Sequence, residues 1–154
     1  MKDNYTLSGL SKADFCQQID GKETALYVLS NASGAELCVT NYGAKIVSLM
    51  VPDRDGKLTD VVTGHKSIAD YLTSEEPYFG AICGRYGNRI AKGRFEIDGT
   101  VYDQLAINNG PNSLHGGLKG FNAKVWDATQ KDEQTIELQL ISPDGEEGFP
   151  GELQ

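Results

Sequence analysis

The sequence predicts an all-β protein, an antiparallel sandwich or a barrel, on three observations. Short apolar runs recur with turn residues between them, and 18 of the 154 residues are glycine. Asp98-Gly99 links two such runs, and this dipeptide supplies the two positive-φ residues of a tight hairpin turn. Residues 135–141 alternate, with Ile136, Leu138 and Leu140 on one side and Thr135, Glu137 and Gln139 on the other. That period of two belongs to a half-buried strand. No stretch sustains a helical period, so the apolar faces must be covered by other strands.

Taken in order, residues 24–30 and 36–40 read as strands separated by the turn Asn31-Ala32-Ser33-Gly34. Residues 45–51 form a third strand, closed by Pro52-Asp53-Arg54-Asp55-Gly56, and Val61 with Val62 form a short fourth. Residues 67–72 suit one or two helical turns. Residues 94–97 and 100–104 flank Asp98-Gly99, and 135–141 follow. Residues 144–151 read as a long loop between strands, after which Glu152-Leu153-Gln154 opens another alternating pattern. A sheet cut there has an unpaired edge, a known aggregation hazard. The chain therefore reads as one domain over residues 1–154, incomplete at its C-terminal end and poorly soluble.

The formal net charge of −8 argues against a general nucleic-acid or membrane-surface binder, whose partners require positive charge. Arg85, Arg89, Lys92 and Arg94 form a local basic cluster, read as a solvated strand-and-turn face without the interleaved aromatics of a nucleic-acid groove. No apolar run is long enough to span a membrane, and the first twenty residues do not resemble a signal peptide. Cys16, Cys38 and Cys83 are odd in number, widely separated and without C-x-x-C spacing. Free, buried thiols in a reducing, cytoplasmic compartment are expected. Oligomeric state leaves no mark on the sequence.

Most candidate chemistry can be set aside. Asp53-Arg54-Asp55-Gly56 lacks the later ligands of a calcium loop and reads as a hairpin turn. Gly84-x-x-Gly87 lacks the glycine spacing and βαβ context of a dinucleotide site. Nucleophile elbow, Walker loop and metalloprotease helix are all missing, so no metal or cofactor is expected. His65 reads as a surface residue, Glu146 and Glu147 as solvated turn carboxylates, and Trp126 as core rather than a sugar platform. What remains is a loop, Asn108-Asn109-Gly110-Pro111-Asn112-Ser113-Leu114-His115-Gly116-Gly117, rich in residues that turn sharply or hydrogen-bond. Asn88, Arg89 and His115 offer an amide, a fixed cation and an imidazole. Together they suit a neutral polyhydroxylated ligand recognised by directional hydrogen bonds. The bland alternative is a structural turn whose histidine ties down a loop.

Several motifs, in order, resemble the aldose 1-epimerase (galactose mutarotase) family. They are Asn41-Tyr42-Gly43-Ala44, Val51-Pro52-Asp53-Arg54-Asp55-Gly56, Tyr71, Gly84-Arg85-Tyr86-Gly87-Asn88-Arg89-Ile90-Ala91-Lys92-Gly93-Arg94-Phe95, Asp98-Gly99, the loop 108–117, Gly120-Phe121, Val125-Trp126 and residues 144–151. One departure is Tyr102-Asp103-Gln104-Leu105, a residue longer than the family's hairpin strand, which a loop or bulge would absorb without moving His115.

The resemblance implies a large antiparallel β-sandwich that interconverts the α and β anomers of free aldoses such as galactose and glucose. It implies that Asn88 and Arg89 hydrogen-bond sugar hydroxyls, and that His115 orients the sugar and helps polarise the ring oxygen. It also implies a catalytic acid in an Asn-His-x-Tyr-Phe-Asn segment and a glutamate base near the C-terminus, both expected beyond Gln154. General acid and base contributions are each worth on the order of 10²–10⁴ in rate, so binding contacts alone would hold a sugar without opening it. Two alternatives stay open: a non-catalytic carbohydrate-binding sandwich or decayed gene product, and a hexose-6-phosphate relative in which Arg85 and Arg89 serve a phosphate.

Overall fold

The computed structural model describes residues 5–154, and they are almost entirely strands and turns. A short hairpin, β1 (Gln18–Ile19) with β2 (Lys22–Glu23), precedes the main sheet. That sheet runs antiparallel in chain order: β3 (Leu26–Ser30), β4 (Glu36–Thr40), β5 (Lys45–Pro52) and β6 (Leu58–Asp60). The first and last links are side-chain-capped turns. Asn31 Oδ1 accepts from the Ser33 and Ala35 amides, and Asp53 Oδ1 from the Asp55 and Lys57 amides. These are the Asx turns that Asn and Asp favour, and they leave the Asp53 carboxylate folded back on its own loop.

Strand β6 lies earlier than the Val61-Val62 expectation. The Val61 amide still donates to the Leu49 carbonyl, but Asp60 Oδ1 accepts from the Leu49 and Val62 amides, so a carboxylate takes the return bond of the ladder at the two valines. The single α-helix among the described residues, α1 (Ile68–Thr73), starts at Ser67, whose hydroxyl accepts from the Asp70 amide at 3.0 Å. It buries Ile68 and Tyr71 against Phe15, Leu26, Cys38, Tyr42, Val47 and Val125, which form the core. His65 is not a plain surface residue: its ring packs edge-on to Tyr71 at 4.7 Å and beside Phe79 at 5.6 Å. The cysteines are free, but Cys38 alone is fully buried. Cys16 is exposed because its neighbour Phe15 takes the inward position.

Beyond the helix the strands are shorter. Strand β7 (Arg89–Ile90) precedes the hairpin of β8 (Phe95–Ile97) and β9 (Thr100–Tyr102), turned by Asp98 at φ 50° and Gly99 at φ 78°. The second strand stops at Tyr102, so the extra length at 102–105 runs into loop. Next come β10 (Ser113–Leu114), β11 (Asp127–Gln130) and β12 (Ile136–Gln139), the last two an antiparallel pair. Leu153 pairs with Ser142 across the 142–153 loop. The all-β expectation holds, and no helix among the described residues is long and apolar enough to cross a membrane.

A lysine sits among the buried polar residues of this core. Lys45, at the head of β5, has no exposed surface. Its Nζ donates to the carbonyls of Tyr42 and Asn122 and lies 4.1 Å from the Tyr42 ring centroid and 5.0 Å from that of Tyr71. Burial lowers its pKa from 10.5 to about 7, partly offset by nearby Cys83. An unfolded chain therefore binds a proton at Lys45 over a range where the folded chain has released it, and stability rises with pH there. We expect the urea midpoint to climb between pH 7 and 8, below the range where the raised thiols of Cys38 and Cys83 act the other way. Lys45→Met should flatten that climb. An unchanged slope in the variant would show that another group is responsible.

Candidate functional site

The two glycine- and asparagine-rich motifs meet through a pairing of only two residues. β7 and β10 run antiparallel, with Arg89 opposite Leu114 and Ile90 opposite Ser113. This register places Asn88 beside His115, and the two are joined twice. The His115 amide donates to the Asn88 carbonyl at 3.0 Å, and the Asn88 amide donates to His115 Nδ1 at 2.9 Å. Both residues hold positive φ, 67° at Asn88 and 52° at His115. Asparagine and histidine tolerate that region better than most side chains.

Asn108 holds the loop beneath His115. Its amide nitrogen donates to the Leu114 and Gly117 carbonyls, and its oxygen accepts from the Leu114 amide at 2.7 Å. Asn109 Oδ1 accepts from Arg89 Nε at 2.8 Å, and Asn88 Oδ1 from Arg89 Nη1 at 3.2 Å. The guanidinium is thus aimed by two amides while part of its fork faces solvent. All three expected residues come together, with Asn88 and Arg89 exposed and His115 half-buried. Burial, and then the Arg89 charge, hold the imidazole below its ordinary 6.5. A neutral ring next to a fixed cation and an amide is equipped to bind hydroxyls.

The basic cluster does not behave as one solvated face. Arg85 clamps the 142–151 loop. Its Nε donates to Ser142 Oγ at 2.7 Å, and its terminal nitrogens donate to the carbonyls of Ser142, Pro143, Pro150 and Gly151. A guanidinium so engaged has no fork left for a phosphate, which removes Arg85 from the hexose-6-phosphate alternative.

Glu146 and Glu147 are likewise occupied. Glu146 accepts from Lys124 and from the Ser142 hydroxyl; burial pushes its carboxyl up, but these partners hold it below the usual range. Glu147 accepts from the Leu118 amide at 2.7 Å. Trp126 is half-buried, edge-on to Phe121, with its Nε1 donating to the Phe121 carbonyl. Among the described residues no three His, Cys, Asp or Glu side chains gather as a metal site.

Arg89 and Arg85 also border an open hollow lined by Tyr86, Ile90, Phe95, Ile97 and Phe149. Apart from the two guanidinium groups that lining is largely apolar, and it does not include His115. One neighbour had no counterpart in the sequence reading. The Tyr78 ring lies 4.6 Å from His115, from a segment 37 positions earlier with no motif to mark it.

Comparison with known proteins places this geometry in context. The family model described as Aldose 1-epimerase matches residues 25–154. Galactose mutarotase of Bos taurus is 51% identical over 116 residues, covering 75% of this chain and 33% of the relative. A probable aldose 1-epimerase of Arthroderma benhamiae is 35% identical over 152 residues, 96% of this chain and 34% of that protein. The solved structure of an aldose epimerase homologue from C. elegans superposes with a TM-score of 0.76 at 27% identity, covering 84% of this chain and 39% of that one. The chain spans about a third of the length of the curated relatives it matches.

Proposed function

Because the chain belongs to the aldose 1-epimerase family, we propose that it serves the interconversion of α and β anomers of free aldohexoses, galactose and glucose among them. The observation that carries this reading is the convergence of Asn88, Arg89 and His115 through the β7–β10 pairing and two reciprocal hydrogen bonds. In the proposed complex Asn88 and Arg89 hold sugar hydroxyls, and His115 orients the ring and polarises its oxygen. Residues 1–154 form part of a single domain acting on a small-molecule sugar, in a cytoplasmic setting.

Ring opening also needs a base for the anomeric hydroxyl and an acid for the ring oxygen. Neither His65 nor Glu147 is free for this work. The first packs between Tyr71 and Phe79, and the second is engaged by the Leu118 amide. The family resemblance puts the acid in an Asn-His-x-Tyr-Phe-Asn segment and the base at a late glutamate. Neither His65 nor Glu147 sits in a matching motif, so we assign the acid and base to residues outside 1–154. The same observation favours a second reading, in which this chain binds a carbohydrate without turning it over.

Two measurements separate these. Galactose titrated into the chain by calorimetry should release heat, and polarimetry on freshly dissolved α-D-glucose should show whether mutarotation accelerates. Binding with an unaccelerated rotation supports the non-catalytic reading for this chain. A folded sample that gives no heat with either sugar would sink both.

A further inference from the structure

His115 carries an unusual constraint on its ring. A backbone amide never releases its proton to a neighbour near neutral pH, so a ring nitrogen that accepts from one must keep its lone pair there. Asn88 N–H donates to Nδ1 at 2.9 Å, and the single proton of a neutral imidazole must then sit on Nε2. A hydrogen bond alone leaves the ring free to swing out of that contact. The Tyr78 ring, 4.6 Å away and tilted by 50°, covers the imidazole and resists that swing. Main-chain strain adds to the definition, because His115 holds φ 52° between its Asn88 partner and Gly116.

We propose that Tyr78 is a positioning residue which, with the Asn88 main-chain amide, fixes His115 as the Nε2–H tautomer. The group presented to a ligand is then a permanent N–H donor. It can polarise an oxygen by hydrogen bonding, but it cannot take up a proton at Nε2 as a base, and becoming imidazolium would break the Asn88 contact. Arg89 is the charged group beside the ring and opposes that protonation as well. What this donor does for a sugar rests on the function proposed above. The tautomer does not, so the two can fail separately.

Long-range proton–nitrogen NMR of the ¹⁵N-labelled chain reads the tautomer directly, without any sugar present. His65→Gln removes the other histidine's signals and leaves those of His115 alone. We expect two unaveraged ring nitrogens, with Nδ1 unprotonated and Nε2 protonated. Tyr78→Phe, which retains the ring, should preserve that pattern, whereas Tyr78→Leu, which fills similar space without a π face, should draw the two nitrogens toward an averaged pair. A protonated Nδ1 or averaged nitrogens in the parent chain would overturn the tautomer. A Tyr78→Leu spectrum identical to the parent, or equal averaging in Tyr78→Phe, would overturn the part given to the Tyr78 ring.

Discussion

Alanine in place of Gly116 is expected to destabilise the chain by about 3 kcal/mol or more and to dismantle the site with it. Two independent terms drive this. Gly116 sits at φ 94°, a conformation that side chains beyond glycine seldom adopt. A Cβ built there would also collide with the carbonyl of Gly84 and crowd the Arg85 amide. Neither is a flexible tip that can move aside. The Gly84 carbonyl accepts from the Phe121 amide at 3.2 Å, and the Arg85 side chain is anchored by its clamp.

Relief must therefore come from the 115–120 turn, which carries His115. Gly110 provides the control within the same loop. It also has positive φ, 57°, but a Cβ there meets nothing within 4 Å, so Gly110→Ala should cost only about 1 kcal/mol. Urea unfolding of both variants measures the contrast. Equal, small losses would mean that the 115–120 turn yields freely, and that the Gly84 approach is not what requires glycine.

That contrast shows what the sequence can and cannot convey. A stretch rich in glycine and asparagine announces sharp turns, and the loop 108–117 is one. What it does not announce is which glycine is required by a close approach, and at Gly116 the close neighbour is the protein's own Gly84 carbonyl. Local devices were legible wherever their partners lie within a few residues. The Asp98-Gly99 turn, the Asn31 and Asp53 caps and the alternation at 135–141 are of this kind. Asp60 was not, since its carboxylate reaches Leu49 across the sheet and displaces the end of β6.

The site was legible in its residues and hidden in its assembly. Asn88, Arg89 and His115 stood out by type and by the family resemblance. The pairing that unites them spans two residues on each side, and two residues carry no periodicity to read. Tyr78 and His65 were missed for a related reason. Each is an aromatic contact made across the fold, and nothing in their neighbourhoods distinguishes them from ordinary loop residues. Lys45 was read simply as the start of a strand, because burial of a charge is decided by what closes over it, here Tyr42, Tyr71 and Asn122.

The sharpest separation between binding and scaffold should come from the two arginines of the 84–90 motif, of which the sequence reading offers Arg89 alone as a contact to sugar hydroxyls. Arg89→Met is expected to weaken galactose binding about 10- to 100-fold while leaving the urea midpoint nearly unchanged. Its guanidinium is exposed, and its two contacts are to the amides of Asn109 and Asn88, which water can satisfy in its absence. What the proposed complex loses is charge-assisted hydrogen bonding to sugar hydroxyls, worth roughly 1.5–3 kcal/mol, or about one to two decades of affinity.

Arg85→Met should do the reverse in stability. It removes donors from the carbonyls of Ser142, Pro143, Pro150 and Gly151 and from the Ser142 hydroxyl. Partial rehydration of those acceptors limits the loss to about 2 kcal/mol. Any effect of Arg85→Met on galactose should follow the fraction folded, and should therefore disappear when both variants are titrated well below their unfolding midpoints. Calorimetric titrations run beside urea curves test both halves. If Arg89→Met binds galactose as tightly as the parent, the guanidinium does not touch the sugar, and the site must be rebuilt around Asn88 and His115 alone.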